Sequence, residues 1–158
     1  MITTIIFDFS YTLLFPKNSR PASLNELHYK LSQDPKYVVW DNFILNEEIL
    51  AFVEKNKQNF KFYIFTNSYI QDDPEVKSKL ASLFEKIYQV SEMNFAKDDP
   101  RSFEVIAKDI KEKMANILYI DDTARYVEAA KAAGLKGLVY ESNEKLLAKL
   151  NALLKSNE

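Results

Sequence analysis

With no cysteine anywhere in its 158 residues, the chain can form no disulfide, no thiolate nucleophile and no cysteine-ligated zinc or iron–sulfur site. Its one histidine, His28, excludes a multi-histidine metal cage. Two glycines, Gly134 and Gly137, are too few for a GxGxxG turn and too closely spaced for a Walker A loop. Charge of neither sign dominates: 21 basic against 23 acidic residues leave a formal −2, so there is no electrostatic case for a nucleic-acid partner. No apolar run approaches the roughly 18–20 residues that a membrane span needs. The start, Met1-Ile2-Thr3-Thr4-Ile5-Ile6-Phe7-Asp8, has neither a basic n-region nor a small-residue cleavage site. The expectation is a soluble cytoplasmic protein with no membrane partner.

What is present is core-forming material. Hydrophobic residues make up 47% of the chain, including 9 Tyr and 11 Phe. That is ample for one domain spanning residues 1–158 and argues against disorder. No repeat, low-complexity segment or linker interrupts it.

Elements alternate along the chain. Residues 2–8 form a short apolar run ending in a carboxylate. Residues 24–32 read as a helix, with Ser23 and Glu26 spaced as a capping box. Asn46 caps a helix to about residue 58, whose positive end suits Glu47 and Glu48. Residues 60–66 are a second strand and Pro74 opens a helix to about residue 83. Residues 86–91 are a weaker strand, and Pro100 precedes a helix over 101–113. Residues 116–121 are a fourth strand, and 123–133 a helix with Gly134 at its C-terminal glycine position. Residues 136–140 form a fifth strand and 143–155 a last helix. This order implies right-handed βαβ crossovers, and so a three-layer α/β/α sandwich around a Rossmann-like parallel sheet of about five strands.

Ligands of such sheets bind beyond the carboxyl ends of the strands. There the sequence places Asp8, Thr66, Asp121 and Asp122, with Lys97 in a loop after the third strand. Carboxylates suit a hard cation such as Mg²⁺, and one can serve as a nucleophile toward phosphorus. A hydroxyl and an ammonium can hold phosphoryl oxygens. Either aspartate of the 121–122 pair can instead cap the helix that follows.

Four stretches, residues 5–12, 62–67, 97–100 and 117–134, in order and across nearly the whole chain, resemble the motifs of the haloacid dehalogenase (HAD) superfamily. Ile5-Ile6-Phe7-Asp8-Phe9-Ser10-Tyr11-Thr12 is similar to hydrophobic residues followed by DxDxT. Phe62-Tyr63-Ile64-Phe65-Thr66-Asn67 resembles the strand ending in Thr or Ser. Lys97-Asp98-Asp99-Pro100 resembles the lysine turn before a helix. Ile117-Leu118-Tyr119-Ile120-Asp121-Asp122, with Glu128-Ala129-Ala130-Lys131-Ala132-Ala133-Gly134 after it, resembles the last motif. The resemblance implies that Asp8 is nucleophile and Mg²⁺ ligand. It further implies that Ser10 lends a backbone carbonyl to the metal, and that Thr66 and Asn67 bind phosphate. Lys97 would steady nucleophile and phosphoryl group, Asp122 would bind metal directly, and Asp121 would stand just outside it.

Ser10 is the main departure, because the family's phosphatases carry an Asp there as general acid and base. A serine hydroxyl does neither at neutral pH, and such a loss typically costs about 10²–10⁴ in rate. Tyr11 stands for a usual glycine, Tyr126 for a common asparagine and Asp98 for a frequent proline. Residues 13–45 remain for a flap and a minimal helical cap, which leaves an open site for a phosphorylated substrate in a monomer or homodimer. Two readings stay open. One is a Mg²⁺-dependent phosphatase acting through an aspartyl-phosphate on Asp8, with phosphoryl transfer to another acceptor as a variant. The other is a catalytically degenerate member that binds Mg²⁺ and a phosphorylated ligand or protein without turnover.

Overall fold

A computed structural model describes residues 1–157. Five parallel strands form one sheet: β1 (Thr4–Phe7), β4 (Lys61–Thr66), β5 (Lys86–Gln89), β6 (Ile117–Asp121) and β7 (Lys136–Val139). Their spatial order is β5-β4-β1-β6-β7, with β1 at the centre. The β1–β4 and β1–β6 registers pair Phe7 with both Ile64 and Ile120, so these three strands end on one rim.

Alternation along the strands builds two cores. Ile5, Phe7, Phe62, Ile64, Leu118 and Ile120 face α3 (Glu47–Lys55), α4 (Pro74–Leu80) and α7 (Asn143–Asn157). Ile6, Tyr63, Phe65, Ile117 and Tyr119 face α5 (Pro100–Asp109) and α6 (Ala124–Ala132). Both faces are thus covered, as a wholly parallel sheet requires. No helix among the described residues is long and apolar enough to cross a membrane.

Within residues 13–45, β2 (Leu14–Pro16) and β3 (Phe43–Leu45) pair antiparallel, enclosing α1 (Leu24–Leu31) and the short α2 (Val39–Asn42). This strand pair is absent from the sequence reading, because three-residue strands are too short to display alternation. The Ser23 cap forms as expected, its Oγ accepting from Glu26 N–H at 3.2 Å. Leu24 is buried, and Tyr37 and Trp40 pack against the core from this segment.

Several helices end earlier than periodicity predicts. The helix expected over 101–113 stops at Asp109. Lys111 takes φ 56°, its N–H reaches Lys108 O at 3.2 Å, and Glu112 N–H reaches Ala107 O at 3.0 Å. That is a Schellman turn with lysine where glycine usually sits, so composition did not mark it. The glycine version closes α6: Gly134 has φ 101°, and Leu135 N–H reaches Ala130 O at 3.0 Å. α3 and α4 end at Lys55 and Leu80 rather than near 58 and 83. At α3, Asn56 Nδ2 donates to Phe52 O at 2.8 Å and occupies a carbonyl of the last turn.

A left-handed non-glycine residue costs roughly 1–2 kcal/mol, part of which glycine returns as unfolded-state entropy. Lys111→Gly is therefore expected to raise stability by about 1 kcal/mol. A higher urea midpoint with an unchanged m-value would show this, and an unchanged or lower midpoint would refute it.

Candidate active site

The carboxyl-end rim gathers the chemistry. Asp8 follows β1, and its N–H is held by Ile120 O at 2.8 Å, which carries the chain straight off the sheet beside β6. Asp121 ends β6 and is wholly buried. Asp122 follows it and is exposed at the mouth. Carboxylate oxygens of the three lie within 4.8 Å of one another.

Lys97, only 3% exposed, reaches in from the loop before α5. Its ammonium donates to Asp8 Oδ1 and lies 2.8 Å from Asp121 Oδ2. Three aromatic rings collar it, with centroids at 5.0 Å for Tyr126, 5.7 Å for Phe65 and 5.8 Å for Tyr119. Their faces favour a cation. Burial works to lower the pKa of Lys97, but the charges of Asp8 and Asp121 outweigh it and raise it.

The remaining contacts orient these groups. Asp121 accepts from the Tyr119 hydroxyl and from Thr123 N–H at 2.8 Å. The same carboxylate therefore caps the start of α6, for which the Thr123 side chain supplies no bond. Burial, then the nearby charge of Asp121, pushes Asp8 up to about 7 despite Lys97. Partial burial of its carboxylate and repulsion from Asp121 push Asp122 up to about 6. Three carboxylates against one ammonium leave an excess of negative charge in an oxygen-donor cluster, which fits a hard divalent cation.

Thr66 closes β4, and its Oγ1 accepts from Ser68 N–H at 2.8 Å, curling the chain into a turn. Asn67 O accepts from Asn25 Nδ2 at 3.1 Å, tying α1 of the cap to this turn. Asn25 also accepts from Tyr69 N–H at 3.2 Å and, through its backbone carbonyl, from the Tyr69 hydroxyl at 2.8 Å. Asn67 Nδ2 donates to Tyr126 Oη at 3.4 Å.

A cleft of about 220 Å³ opens over the rim, lined among others by Asp8, Ser10, Thr66, Lys97, Asp121 and Tyr126. Asp122 and Asn67 line it too, so every site residue expected from the sequence reaches this one space. Ser10 forms a backbone bridge with Leu14 at the start of the flap. Tyr11 beside it has φ 59° and donates its hydroxyl to Pro21 O. His28 lies away from the cleft, its Nδ1 hydrogen-bonded with the Tyr37 hydroxyl at 2.8 Å.

Nothing in the sequence marks Asn25, and Tyr126 stands out there only as a departure from the family's pattern. Neither lies at a strand end, where a pattern search looks.

The chain matches the family described as haloacid dehalogenase-like hydrolase over residues 14–134. No curated protein matches it. Among solved structures it is similar to a predicted HAD-like family hydrolase from Porphyromonas gingivalis. That pair shares 16% identity with TM-score 0.71, covering 98% of each chain. It is also similar to a HAD family enzyme from Bacteroides thetaiotaomicron in complex with magnesium and inorganic phosphate. There identity is 14% and TM-score 0.65, over 90% of this chain and 96% of that one. A HAD-superfamily hydrolase of subfamily IA from Geobacter sulfurreducens gives 14% identity and TM-score 0.67, over 90% and 88%. At these identities the likeness establishes the fold.

Proposed function

Since the chain belongs to the haloacid dehalogenase-like hydrolases, we propose that it is a Mg²⁺-dependent phosphatase that cleaves a phosphate monoester through an aspartyl-phosphate on Asp8. The observation that carries this reading is the convergence of three carboxylates within 4.8 Å of one another, with Lys97 buried between two of them.

Asp8, Asp122 and the backbone carbonyl of Ser10 would hold the cation, with Asp121 behind them. When bound, Mg²⁺ supplies positive charge that offsets the carboxylates and the phosphate. Lys97 favours the ionised form of Asp8 by charge and hydrogen bond, against the burial that raises its pKa, and would face the phosphoryl oxygens. Thr66 and the Asn67 backbone receive those oxygens on the opposite side. Asp8 Oδ attacks phosphorus and the bond to the ester oxygen breaks. A water oxygen then attacks the phosphorus of the aspartyl-phosphate and frees Asp8 and phosphate.

Ser10 favours a second reading, in which the site binds Mg²⁺ and a phosphorylated ligand without turnover. Phosphate release from a panel of esters, with Mg²⁺ or with EDTA, separates the two. Release that needs both the metal and Asp8 is the expected result. A folded protein that releases no more phosphate than Asp8→Asn across the panel would leave the binding reading standing.

A further inference from the structure

The position two residues beyond the nucleophile has no acid. Ser10 is too weak an acid to protonate a departing oxygen, Asp122 would hold the cation, and Lys97, Asp121 and Tyr11 are engaged. Lys97 is shared between two carboxylates, and Asp121 accepts from Lys97, Tyr119 and Thr123. The Tyr11 hydroxyl donates to Pro21 O. Tyr126 Oη accepts from Arg125 Nη2 at 2.9 Å and from Asn67 Nδ2 at 3.4 Å, so its own proton is committed to neither bond. With no carboxylic acid at position 10, an ester oxygen that is stable as an anion leaves this site most readily.

Beside the cleft, and sharing Tyr11 and Asp122 with it, runs a groove of about 570 Å³. Its wall is aromatic. Tyr11 and Phe15 lie edge to face at 6.1 Å, and Phe15 and Tyr140 are 6.2 Å apart. All three rings are half-buried, with the remainder open to solvent. Arg20 lines the same groove, its guanidinium 5.9 Å from the Tyr11 ring centroid. Among the described residues no carboxylate pairs with it. A flat aromatic group fits the ring faces, and an anionic substituent on it would have Arg20 to pair with, while Asp122 and Glu141 line the rest of the groove.

Resting on the phosphatase reading, we propose that the substrates are aryl phosphates, whose phenolate departs unprotonated into the Tyr11–Phe15–Tyr140 groove beside Arg20. The bond count closes without an acid. Asp8 Oδ bonds to phosphorus, and the P–O bond to the ring breaks with its electron pair left on the phenolate oxygen. Water then bonds to phosphorus, the Asp8–P bond breaks, and the proton released from water neutralises the phenolate in solution. A phenol ionises at about 10 and an alkanol only far above that, so the missing acid weighs far more on alkyl esters.

The experiment measures kcat/KM with Mg²⁺ for phenyl phosphates of graded phenol acidity and for an alkyl phosphate. The expected result is a rate that rises steeply with phenol acidity, the alkyl ester lying at least about 100-fold below phenyl phosphate. Ser10→Asp should flatten that dependence and lift the alkyl ester by about 10²–10⁴-fold. Arg20→Ala should raise KM for carboxyphenyl phosphate more than for phenyl phosphate, and Tyr126→Phe should leave the steepness unchanged. Equal rates for alkyl and aryl esters would overturn the proposal and leave the phosphatase reading intact. A steeper dependence in Tyr126→Phe would overturn it in the same way, by identifying Tyr126 as the donor. Silence toward even the most activated aryl ester would overturn both.

Discussion

Lys97→Met should lose about 3–5 kcal/mol of stability, because removing one member of a buried charge network leaves the others uncompensated. The side chain is 2% exposed and its two carboxylate partners are 7% and 1% exposed, so water cannot take its place. For a chain of this size the loss corresponds to a drop in Tm on the order of 10 °C. Methionine keeps the apolar stem and contact with the rings of Phe65, Tyr119 and Tyr126, which isolates the charge as the cause. The same variant tests the cation site. With the ammonium gone, Asp8, Asp121 and Asp122 repel one another unopposed, and a divalent cation is the remaining counter-charge. Adding Mg²⁺ should raise the Tm of Lys97→Met more than that of the wild-type protein, although phosphate release stays abolished. A Tm within about 2 °C of wild type, corresponding to at most roughly 1 kcal/mol, would mean that the ion network contributes little to the fold.

Asp8→Asn should act in the opposite direction on stability while removing activity. Without the proposed nucleophile the protein should release phosphate only at background. Its metal-free fold, however, loses one of three clustered negative charges, and asparagine Oδ1 can still accept from Lys97. The pH dependence carries the sign. Burial, the largest cause, raises Asp8 from 3.8 to about 7 in the folded protein. The unfolded chain therefore gives up this proton more readily. The stability linked to the protonated group is fully present below about pH 4 and is lost as pH rises through about 7. Metal-free Asp8→Asn lacks this loss, so its advantage over wild type should grow between pH 5 and pH 8. Denaturant unfolding at those two pH values, in EDTA, reads the difference. A variant less stable than wild type at pH 8 would show that Asp8 contributes more through Lys97 than its burial costs.

Pattern alone determined a good deal of this protein. The succession of strands and helices, the parallel sheet and the two-sided core follow from short apolar runs between capped helices, and each run is legible because burial on both faces demands continuous hydrophobicity. Asp8, Thr66, Asp121 and Asp122 stand out because each interrupts such a run at its carboxyl end, where a polar residue is not needed for packing. Tertiary structure decided the rest. The order β5-β4-β1-β6-β7 depends on which strands find each other, and it is what sets Asp8 between Thr66 and Asp121. Lys97 sits 89 residues from Asp8 in a loop rich in charge, and nothing local distinguishes a buried lysine from a solvated one. Its burial follows from the rings of Phe65, Tyr119 and Tyr126, brought from three separate elements. The Asn25 link from α1 to the turn after Thr66 and the Tyr11–Phe15–Tyr140 groove likewise join residues distant in the chain. Periodicity records only how a segment meets its own face of the core, whereas charge pairing, ring collars and grooves are made between segments.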